Sequence, residues 1–284
     1  MRKLEKHFTI AYWEQRGTGK SYNSDIPVES MNVEQFVEDT RQVVDYLKER
    51  MGVQKVFIWG HSWGTNVGAL YASRYPENIY AYIATGQSVN LMENERMAYE
   101  FVKENALREN NQRALRQLSK IDTTEAGYKL EYALTLRKWV FRYGGVVKSN
   151  DVERPYVDPE EISRILTASE YTIEDRLNLV RDPYFSVQSL WKDMKKIDLI
   201  EQAPEIKVPV YFLIGRHDII VSHVLAEKYF NNLIAPRGKK LVWFEESAHR
   251  PQAEEVDKFV NVMLENVLVE AQKKPSTSEG SINY

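Results

Sequence analysis

One serine early in the chain stands between two glycines, in a pattern that could carry nucleophilic chemistry. Gly60-His61-Ser62-Trp63-Gly64 reads G-x-S-x-G, the pattern of a serine on a sharp turn between a strand and a helix. We expect both glycines to be required, because side chains there would collide with the neighbouring strand and helix. The turn would raise the hydroxyl toward a carbonyl carbon, and the N–H of Trp63 would be the first oxyanion donor.

An aspartate and a histidine later in the chain could activate that hydroxyl. Asp218 follows the apolar run Val210–Ile214, and His249 follows the apolar run Leu241–Phe244. Taken alone, the aspartate could cap a helix and the histidine could lie on the surface. However, the order nucleophile, acid, histidine is known for serine triads, and parallel strands bring their carboxyl ends to one edge of a sheet. Together these features predict a catalytic triad with Ser62 as nucleophile, His249 as base and Asp218 as the residue that orients the base.

Other residues that could do chemistry have simpler interpretations. We expect His61, inside the serine motif, to be a packing residue or a residue that supports the catalytic groups without touching the substrate. His217 and His223 could bind a metal, but no carboxylate lies at metal-ligand spacing, so we predict no metal site. Gly19-Lys20-Ser21 ends like a phosphate-binding loop, yet that motif needs a glycine where this chain has Glu14, whose charge would repel a phosphate. A tight glycine turn is the better interpretation.

The elements that must position the triad alternate between strands and helices. Asn32 can cap the start of the first helix and Gly52 its end. Such alternation is typical of a parallel sheet with helical crossovers. The predicted order is strand Phe8–Trp13, a helix from about Val33 to Met51, strand Val56–Trp59, a helix to about Arg74 and strand Ile79–Thr85.

The middle of the chain has a different character. Its pattern is helical, charged and interrupted by prolines, which predicts an all-helical segment inserted into the α/β core, called here the helical insertion. The α/β pattern then resumes and ends with a predicted helix at Gln252–Val269. We therefore assign residues 1–90 and 204–270 to an α/β core, 91–203 to the helical insertion and 271–284 to a disordered tail.

Composition excludes several classes of protein. Hydrophobic residues make up 43% of the chain and the formal net charge is −3, which gives no sign of binding to nucleic acid or to an anionic membrane. Cysteine is absent, so disulfides and thiolate metal sites are excluded. The sequence shows neither a signal peptide nor the roughly 20 apolar residues of a membrane span. We expect a soluble cytoplasmic protein.

Two motifs together resemble a known family. Trp13-Glu14-Gln15-Arg16-Gly17-x-Gly19-Lys20-Ser21, followed by G-x-S-W-G around Ser62, is similar to the prolyl aminopeptidase (proline iminopeptidase) group of α/β-hydrolases. In that group the residue at Glu14 is usually an aspartate. Gly215-x-x-Asp218 and Ser247-Ala248-His249-x-Pro251 resemble the acid and histidine loops of the group. The resemblance implies an α/β-hydrolase fold and acyl transfer to water without a cofactor, acting on a small molecule or short peptide.

The sequence departs from that family near its beginning. Members carry upstream strands and a histidine-glycine-glycine-proline-glycine loop that supplies the second oxyanion donor, and this sequence has no such motif. The missing strand would lie between Phe8–Trp13 and Val56–Trp59. The chain is expected to be either a shortened form of a longer protein or a degenerate member of the family.

Substrate recognition leaves alternatives open. An aminopeptidase must neutralise a free α-ammonium, but a solvated surface is the stronger interpretation for every candidate carboxylate, so none is assigned. Trp63, Trp139 and Trp191 could line a pocket for an apolar group or could pack in the core. A carboxylesterase or amidase with the same triad, and a catalytically impaired binding protein of this fold, remain alternatives. The candidate carboxylates are Glu93, Glu95, Glu100, Glu153 and Asp182.

Overall fold

A parallel sheet forms the centre of the molecule, as the alternating pattern predicts. The computed structural model describes residues 3–147, 163 and 167–272, and there four strands pair in the order β1-β2-β3-β4. All three pairings are parallel, so the carboxyl ends of the strands lie at one edge of the sheet. The strands are Val56–His61 (β1), Ile79–Thr85 (β2), Val210–Gly215 (β3) and Lys239–Phe244 (β4).

Helices cover both faces of this sheet. Alternate residues of β3 point to opposite faces, so Phe212 joins one core cluster while Leu213 joins another. No helix of the described residues is long and apolar enough to cross a membrane. The helices are Val33–Met51 (α1), Trp63–Arg74 (α2), Leu91–Arg108 (α3), Gln112–Leu118 (α4), Leu130–Arg142 (α5), Ile173–Met194 (α6), Leu199–Gln202 (α7), His223–Asn232 (α8), Pro251–Glu254 (α9) and Val256–Val262 (α10).

The predicted ends of α1 are confirmed. The side chain of Asn32 accepts a hydrogen bond from the backbone N–H of Gln35 at 2.9 Å, which satisfies one of the free donors of the first turn. Gly52 closes the helix with φ of 63°, a left-handed conformation that glycine adopts without steric cost. α1 therefore begins and ends at the residues that the sequence indicates.

The predicted strand at Phe8–Trp13 is wrong. These residues form no regular element, and β1 is the outer strand of the described sheet on that side. Phe8 instead packs edge-on against Phe57 of β1, with ring centroids 5.8 Å apart. Phe8 and Ile10 are partly buried against the core and Tyr12 is 65% exposed, so the segment is held through a few side chains, whereas a strand also needs backbone partners. The family strand was expected to lie between this segment and β1. Of these two expected neighbours, only β1 is a strand among the described residues.

The predicted helix at Gln252–Val269 is interrupted. α9 ends at Glu254, Glu255 adopts φ of −121° and ψ of 60°, and α10 begins at the next residue. A π-helix at Met263–Val267 and a 3₁₀-helix at Leu268–Ala271 follow α10. The apolar spacing gave no sign of this break. The break depends instead on polar contacts, since carboxylates beside it accept hydrogen bonds from the backbone of the preceding loop, as described below.

The described elements between β2 and β3 are the helices α3 to α7. The two ends of this segment are joined, since the N–H of Leu199 donates to the carbonyl of Val89 at 3.0 Å and the amide of Asn90 donates to Asp198 at 3.0 Å. The division of the chain at residues 90 and 203 stays a prediction. Of the predicted tail, residues 273–284 lie outside the described residues.

A buried carboxylate links two helices of the helical insertion. Glu95 of α3 is 1% exposed and accepts hydrogen bonds from the guanidinium of Arg137 on α5 and from the hydroxyl of Tyr128. Burial, together with the charge of Glu95, raises the pKa of Tyr128, so the phenol keeps its proton and donates it. A carboxylate is tolerated at this depth because it is paired.

This pair predicts a large and specific loss of stability. Arg137→Met should lower the free energy of unfolding by about 3 kcal/mol, because it leaves a buried carboxylate without its cation. The matched control is Lys103→Met, which removes an exposed i,i+3 pair with Glu100 and should cost about 0.5 kcal/mol or less. Urea denaturation measures both values. Equal losses in the two variants would contradict the role given to Glu95.

Candidate active site

The serine turn has a strained backbone. Ser62 joins β1 to α2 with φ of 53° and ψ of −123°, and a non-glycine residue held in such a region costs about 1–3 kcal/mol. Its N–H donates to the carbonyl of Thr85 at 3.1 Å, and its own carbonyl accepts from the N–H of Thr65 at 2.9 Å. These hydrogen bonds fix the turn at the carboxyl edge of the sheet.

The two glycines of the motif have different environments. A Cβ on Gly60 would lie 2.6 Å from the carbonyl oxygen of Gly64, so the prediction that a side chain would collide there is confirmed. A Cβ on Gly64 would meet nothing within 4 Å, so the same prediction is wrong for this residue. β1 is the outer strand, so no neighbouring strand of the described sheet lies beside this turn of α2.

The structure brings the predicted acid and base together. Nδ1 of His249 lies 2.9 Å from Oδ2 of Asp218, and the two residues are 8% and 0% exposed. The carboxylate accepts this hydrogen bond, so Nδ1 carries the shared proton and Nε2 is the ring nitrogen left to act as the base. The other carboxylate oxygen accepts from the N–H of Val221 at 2.9 Å. The pair can therefore present a correctly oriented base.

Gly86, directly after β2, is a functional position that the sequence analysis missed. Its φ is +57°, and a Cβ there would lie 3.0 Å from Cε1 of His249 and 3.3 Å from Oδ2 of Asp218. A side chain would displace the acid–base pair, so this position requires glycine for two reasons. The signal was available in the sequence, because a glycine follows a predicted strand at the edge where the triad lies.

The serine turn approaches the predicted base through the ring of His61. Among the hydrogen bonds of the described residues, none connects Ser62 Oγ to His249, although the ring of the preceding residue, His61, lies 4.7 Å from that of His249 between centroids. Catalytic hydrogen bonds of this kind often tighten only when substrate is bound. The geometry thus places the three predicted residues at one edge and joins two of them.

The helical insertion contacts both loops that carry the acid and the base. The carbonyl of Gly145 accepts from the N–H of Ile219, next to the acid, and the carbonyl of Val146 accepts from the N–H of His249, both at 3.0 Å. A Cβ on Gly145 would lie 2.7 Å from Cβ of Ile219, so the close approach needs a glycine. Two adjacent carbonyls of the insertion therefore set the separation of the two loops.

Two glutamates also support the histidine loop. The carboxylate of Glu254 accepts from the N–H groups of Ala248 and Arg250, both at 3.1 Å. The carboxylate of Glu255 accepts from the N–H of Glu246 at 3.0 Å and from the hydroxyl of Ser247. The break between α9 and α10 brings these two carboxylates back to the loop, which explains why a continuous helix does not form there.

Comparisons with known proteins agree with this geometry. The family model described as serine aminopeptidase, S33, matches residues 4–256. The chain belongs to this family. The probable aminopeptidase YbaC of Bacillus subtilis (strain 168) is 28% identical over 263 residues, which are 92% of this chain and 80% of that protein. A proline iminopeptidase of Heyndrickxia coagulans is 25% identical over 265 residues, 93% of this chain and 82% of that protein.

Solved structures confirm the predicted α/β-hydrolase fold. Proline iminopeptidase from Mycobacterium smegmatis matches with a TM-score of 0.64 at 15% identity, over 91% of this chain and 79% of that chain. An esterase from Exiguobacterium antarcticum matches with a TM-score of 0.55 at 18% identity, over 89% of this chain and 79% of that chain. The resemblance to the prolyl aminopeptidase group, seen in the sequence motifs, therefore holds at the level of family and fold.

The family motif before α1 lies against the serine turn. The indole of Trp63 donates to the side chain of Gln15 at 3.1 Å, and Arg16 forms a two-bonded ion pair with Asp39 of α1. Glu14 accepts from the N–H of Lys20 at 2.9 Å, so a carboxylate occupies the glycine turn that resembled a phosphate loop. The motif therefore connects α1 to the start of α2 through side-chain hydrogen bonds.

The tryptophans and carboxylates considered for substrate binding mostly have structural partners. Trp139 is 6% exposed and donates to Gln117, and Trp191 stacks on Tyr128 with centroids 6.0 Å apart. Glu93 pairs with Lys228 at 3.5 Å, whereas Glu95 and Glu100 pair with Arg137 and Lys103 respectively. Glu153 and the side chain of Asp182 lie outside the described residues.

The two motif glycines provide a paired prediction. Gly60→Ala should destabilise the protein, because the new methyl group would lie against backbone that cannot move without displacing Ser62. Gly64→Ala should leave the free energy of unfolding unchanged or raise it by about 0.5–1 kcal/mol, since alanine favours a helix. Thermal and urea unfolding of both variants measure the difference. A Gly64→Ala protein as unstable as Gly60→Ala would contradict the open environment of Gly64.

Proposed function

We propose that this chain is a serine hydrolase that cleaves an amide or ester bond through an acyl-enzyme. The observation that carries the proposal is the buried hydrogen bond between Asp218 and His249, at the sheet edge where Ser62 begins its turn. Membership of the serine aminopeptidase family and the names of the relatives support hydrolase chemistry. The reaction uses a small-molecule or short-peptide substrate and requires no cofactor.

The mechanism follows from the chemistry of these groups. Nε2 of His249 takes the proton of Ser62 Oγ as the oxygen bonds to the substrate carbonyl carbon, and the N–H of Trp63 donates to the resulting oxyanion. Asp218 holds the Nδ1 proton in place and stabilises the imidazolium. The imidazolium then protonates the leaving amine or alcohol. A water molecule, deprotonated by His249, attacks the acyl-enzyme. The bond between the acyl carbon and Ser62 Oγ then breaks, the imidazolium returns its proton to Oγ, and the acid is released.

The substrate class that the family supports is a peptide with a free amino terminus. The family description names a serine aminopeptidase, and relatives over more than nine-tenths of this chain are named aminopeptidase or proline iminopeptidase. We therefore propose an aminopeptidase of the prolyl iminopeptidase type. Recognition of the substrate ammonium would require a carboxylate near the site, which gives the proposal a sharp test.

Blocking the amino group of the substrate separates the candidate activities. Proline p-nitroanilide should be hydrolysed, and N-acetylproline p-nitroanilide should not, because acetylation removes the positive charge. Ser62→Ala should lower kcat for the first compound by a factor on the order of 10⁴–10⁶. Release of p-nitroaniline, followed by absorbance, measures all three reactions. Equal turnover of the free and the acetylated anilide would contradict the aminopeptidase assignment.

One observation favours a second candidate, a carboxylesterase or amidase with the same triad. Three of the five carboxylates considered for ammonium binding, Glu93, Glu95 and Glu100, already pair with cations. This candidate predicts hydrolysis of p-nitrophenyl butyrate and indifference to acetylation of the anilide. If folded protein turns over none of the three compounds, the hydrolase proposal fails and a binding protein of the same fold becomes the better account.

A further inference from the structure

The ring of His61 lies directly against the ring of His249. Their centroids are 4.7 Å apart and their planes are inclined by 42°. His61 is the last residue of β1 and immediately precedes Ser62, so its side chain position and the serine turn depend on the same stretch of backbone. Its environment accordingly bears on the orientation of the neighbouring imidazole.

Thr85 holds the ring of His61 in one orientation. Nδ1 of His61 lies 3.2 Å from the carbonyl oxygen of Thr85 and 3.1 Å from its hydroxyl oxygen. A carbonyl oxygen can only accept, so Nδ1 of His61 carries the proton. The hydroxyl in turn accepts from the indole of Trp59 at 3.1 Å and donates to the carbonyl of Gly60 at 3.3 Å. The buried polar groups of this cluster are therefore mutually satisfied.

The same carbonyl also fixes the nucleophile. The oxygen of Thr85 accepts from the N–H of Ser62 at 3.1 Å as well as from His61. One backbone atom at the end of β2 thus ties the serine turn to the ring that contacts the proposed base. A change in the position of His61 would therefore alter both the serine turn and the ring contact with His249.

Three contacts surround the imidazole of His249. Asp218 holds its Nδ1, the backbone of Gly86 lies against Cε1 and Nδ1, and the ring of His61 lies against its ring. One hydrogen bond to Asp218 would still allow the ring to rotate about that contact. The two packing contacts remove this freedom, and the orientation of Nε2 toward the serine depends on them.

His61 is suited to this position because it stays neutral. Burial, with smaller contributions from the neighbouring His249 and Arg250, lowers the pKa of His61 to about 3. A neutral ring can lie beside His249 without opposing the positive charge that the proposed base acquires during the reaction. A cationic side chain at the same place would destabilise that imidazolium.

We propose that His61 is a positioning residue, whose ring, held by Thr85, supports His249 in the orientation that the reaction needs. The proposal rests on the function proposed above, because it gives His61 a role only through the base. Of the two sequence-based expectations for His61, packing alone or support of the catalytic groups, it selects the second and names the group that is supported. A packing role would affect stability, whereas a positioning role affects kcat at constant stability.

Variants of His61 distinguish the two roles. His61→Ala removes both the ring contact and the bonds to Thr85, and should lower kcat by about 10²-fold with little change in KM, as expected for a misplaced base. His61→Phe keeps a ring but loses the bonds to Thr85, and should lie between His61→Ala and the wild-type protein. The matched control, Trp59→Phe, removes another bond to the Thr85 hydroxyl without touching His249, and should keep the wild-type kcat.

A measurement without substrate makes the test independent of turnover. In protein labelled with ¹⁵N at histidine, the proton between His249 Nδ1 and Asp218 should give a low-field NMR signal. This signal should persist in Trp59→Phe and be lost or broadened in His61→Ala. If wild-type protein hydrolyses nothing, the proposed function fails, while the NMR comparison still decides whether His61 positions His249.

Two results would overturn the proposal. One is an unchanged kcat and an unchanged His249 signal in His61→Ala. The other is an equal loss of kcat in Trp59→Phe, which would assign the effect to general disturbance of the strand end. Circular dichroism and thermal unfolding check that each variant is folded. If His61→Ala does not fold, the comparison of His61→Phe with Trp59→Phe decides by the same two criteria.

Discussion

A carboxylate without any exposure to solvent has to be paired, and the pairing of Asp218 organises the site. Its two oxygens accept from the imidazole of His249 and from the N–H of Val221, so the buried charge is compensated. This requirement constrains the neighbouring elements. The acid loop and the histidine loop must stay within hydrogen-bond distance of each other. Every element that contacts one of the two loops therefore helps to fix the distance between them.

The supports come from three directions and from distant parts of the sequence. Carbonyls of the helical insertion, at Gly145 and Val146, accept hydrogen bonds from the acid loop and the histidine loop respectively. Glu254 and Glu255 hold the histidine loop through its backbone N–H groups. The end of β2, with Gly86, lies against the imidazole itself. These supports combine backbone hydrogen bonds, two glutamate carboxylates and close approaches at Gly86 and Gly145, and together they preserve the position of the acid–base pair.

Sequence analysis predicted the parts of this arrangement that depend on local chemistry. The caps of α1, the parallel strands and the meeting of Asp218 with His249 follow from periodicity, capping residues and strand ends. The errors arose where a longer-range contact decides the outcome. The segment Phe8–Trp13 packs through side chains instead of pairing as a strand, and the helix predicted near the C-terminal end breaks where Glu255 turns back. The open environment of Gly64 depends on which strand is outermost, which no local pattern reveals.

The central claim is that Ser62 is a nucleophile activated by His249, and active-site labelling tests it most directly. Purified protein treated with a fluorophosphonate probe, digested and mapped by mass spectrometry should carry the adduct on the peptide that contains Ser62. His249→Ala should abolish the adduct, because the serine hydroxyl is a poor nucleophile without its base. Folded wild-type protein that acquires no adduct, or acquires it on another residue, would contradict the account.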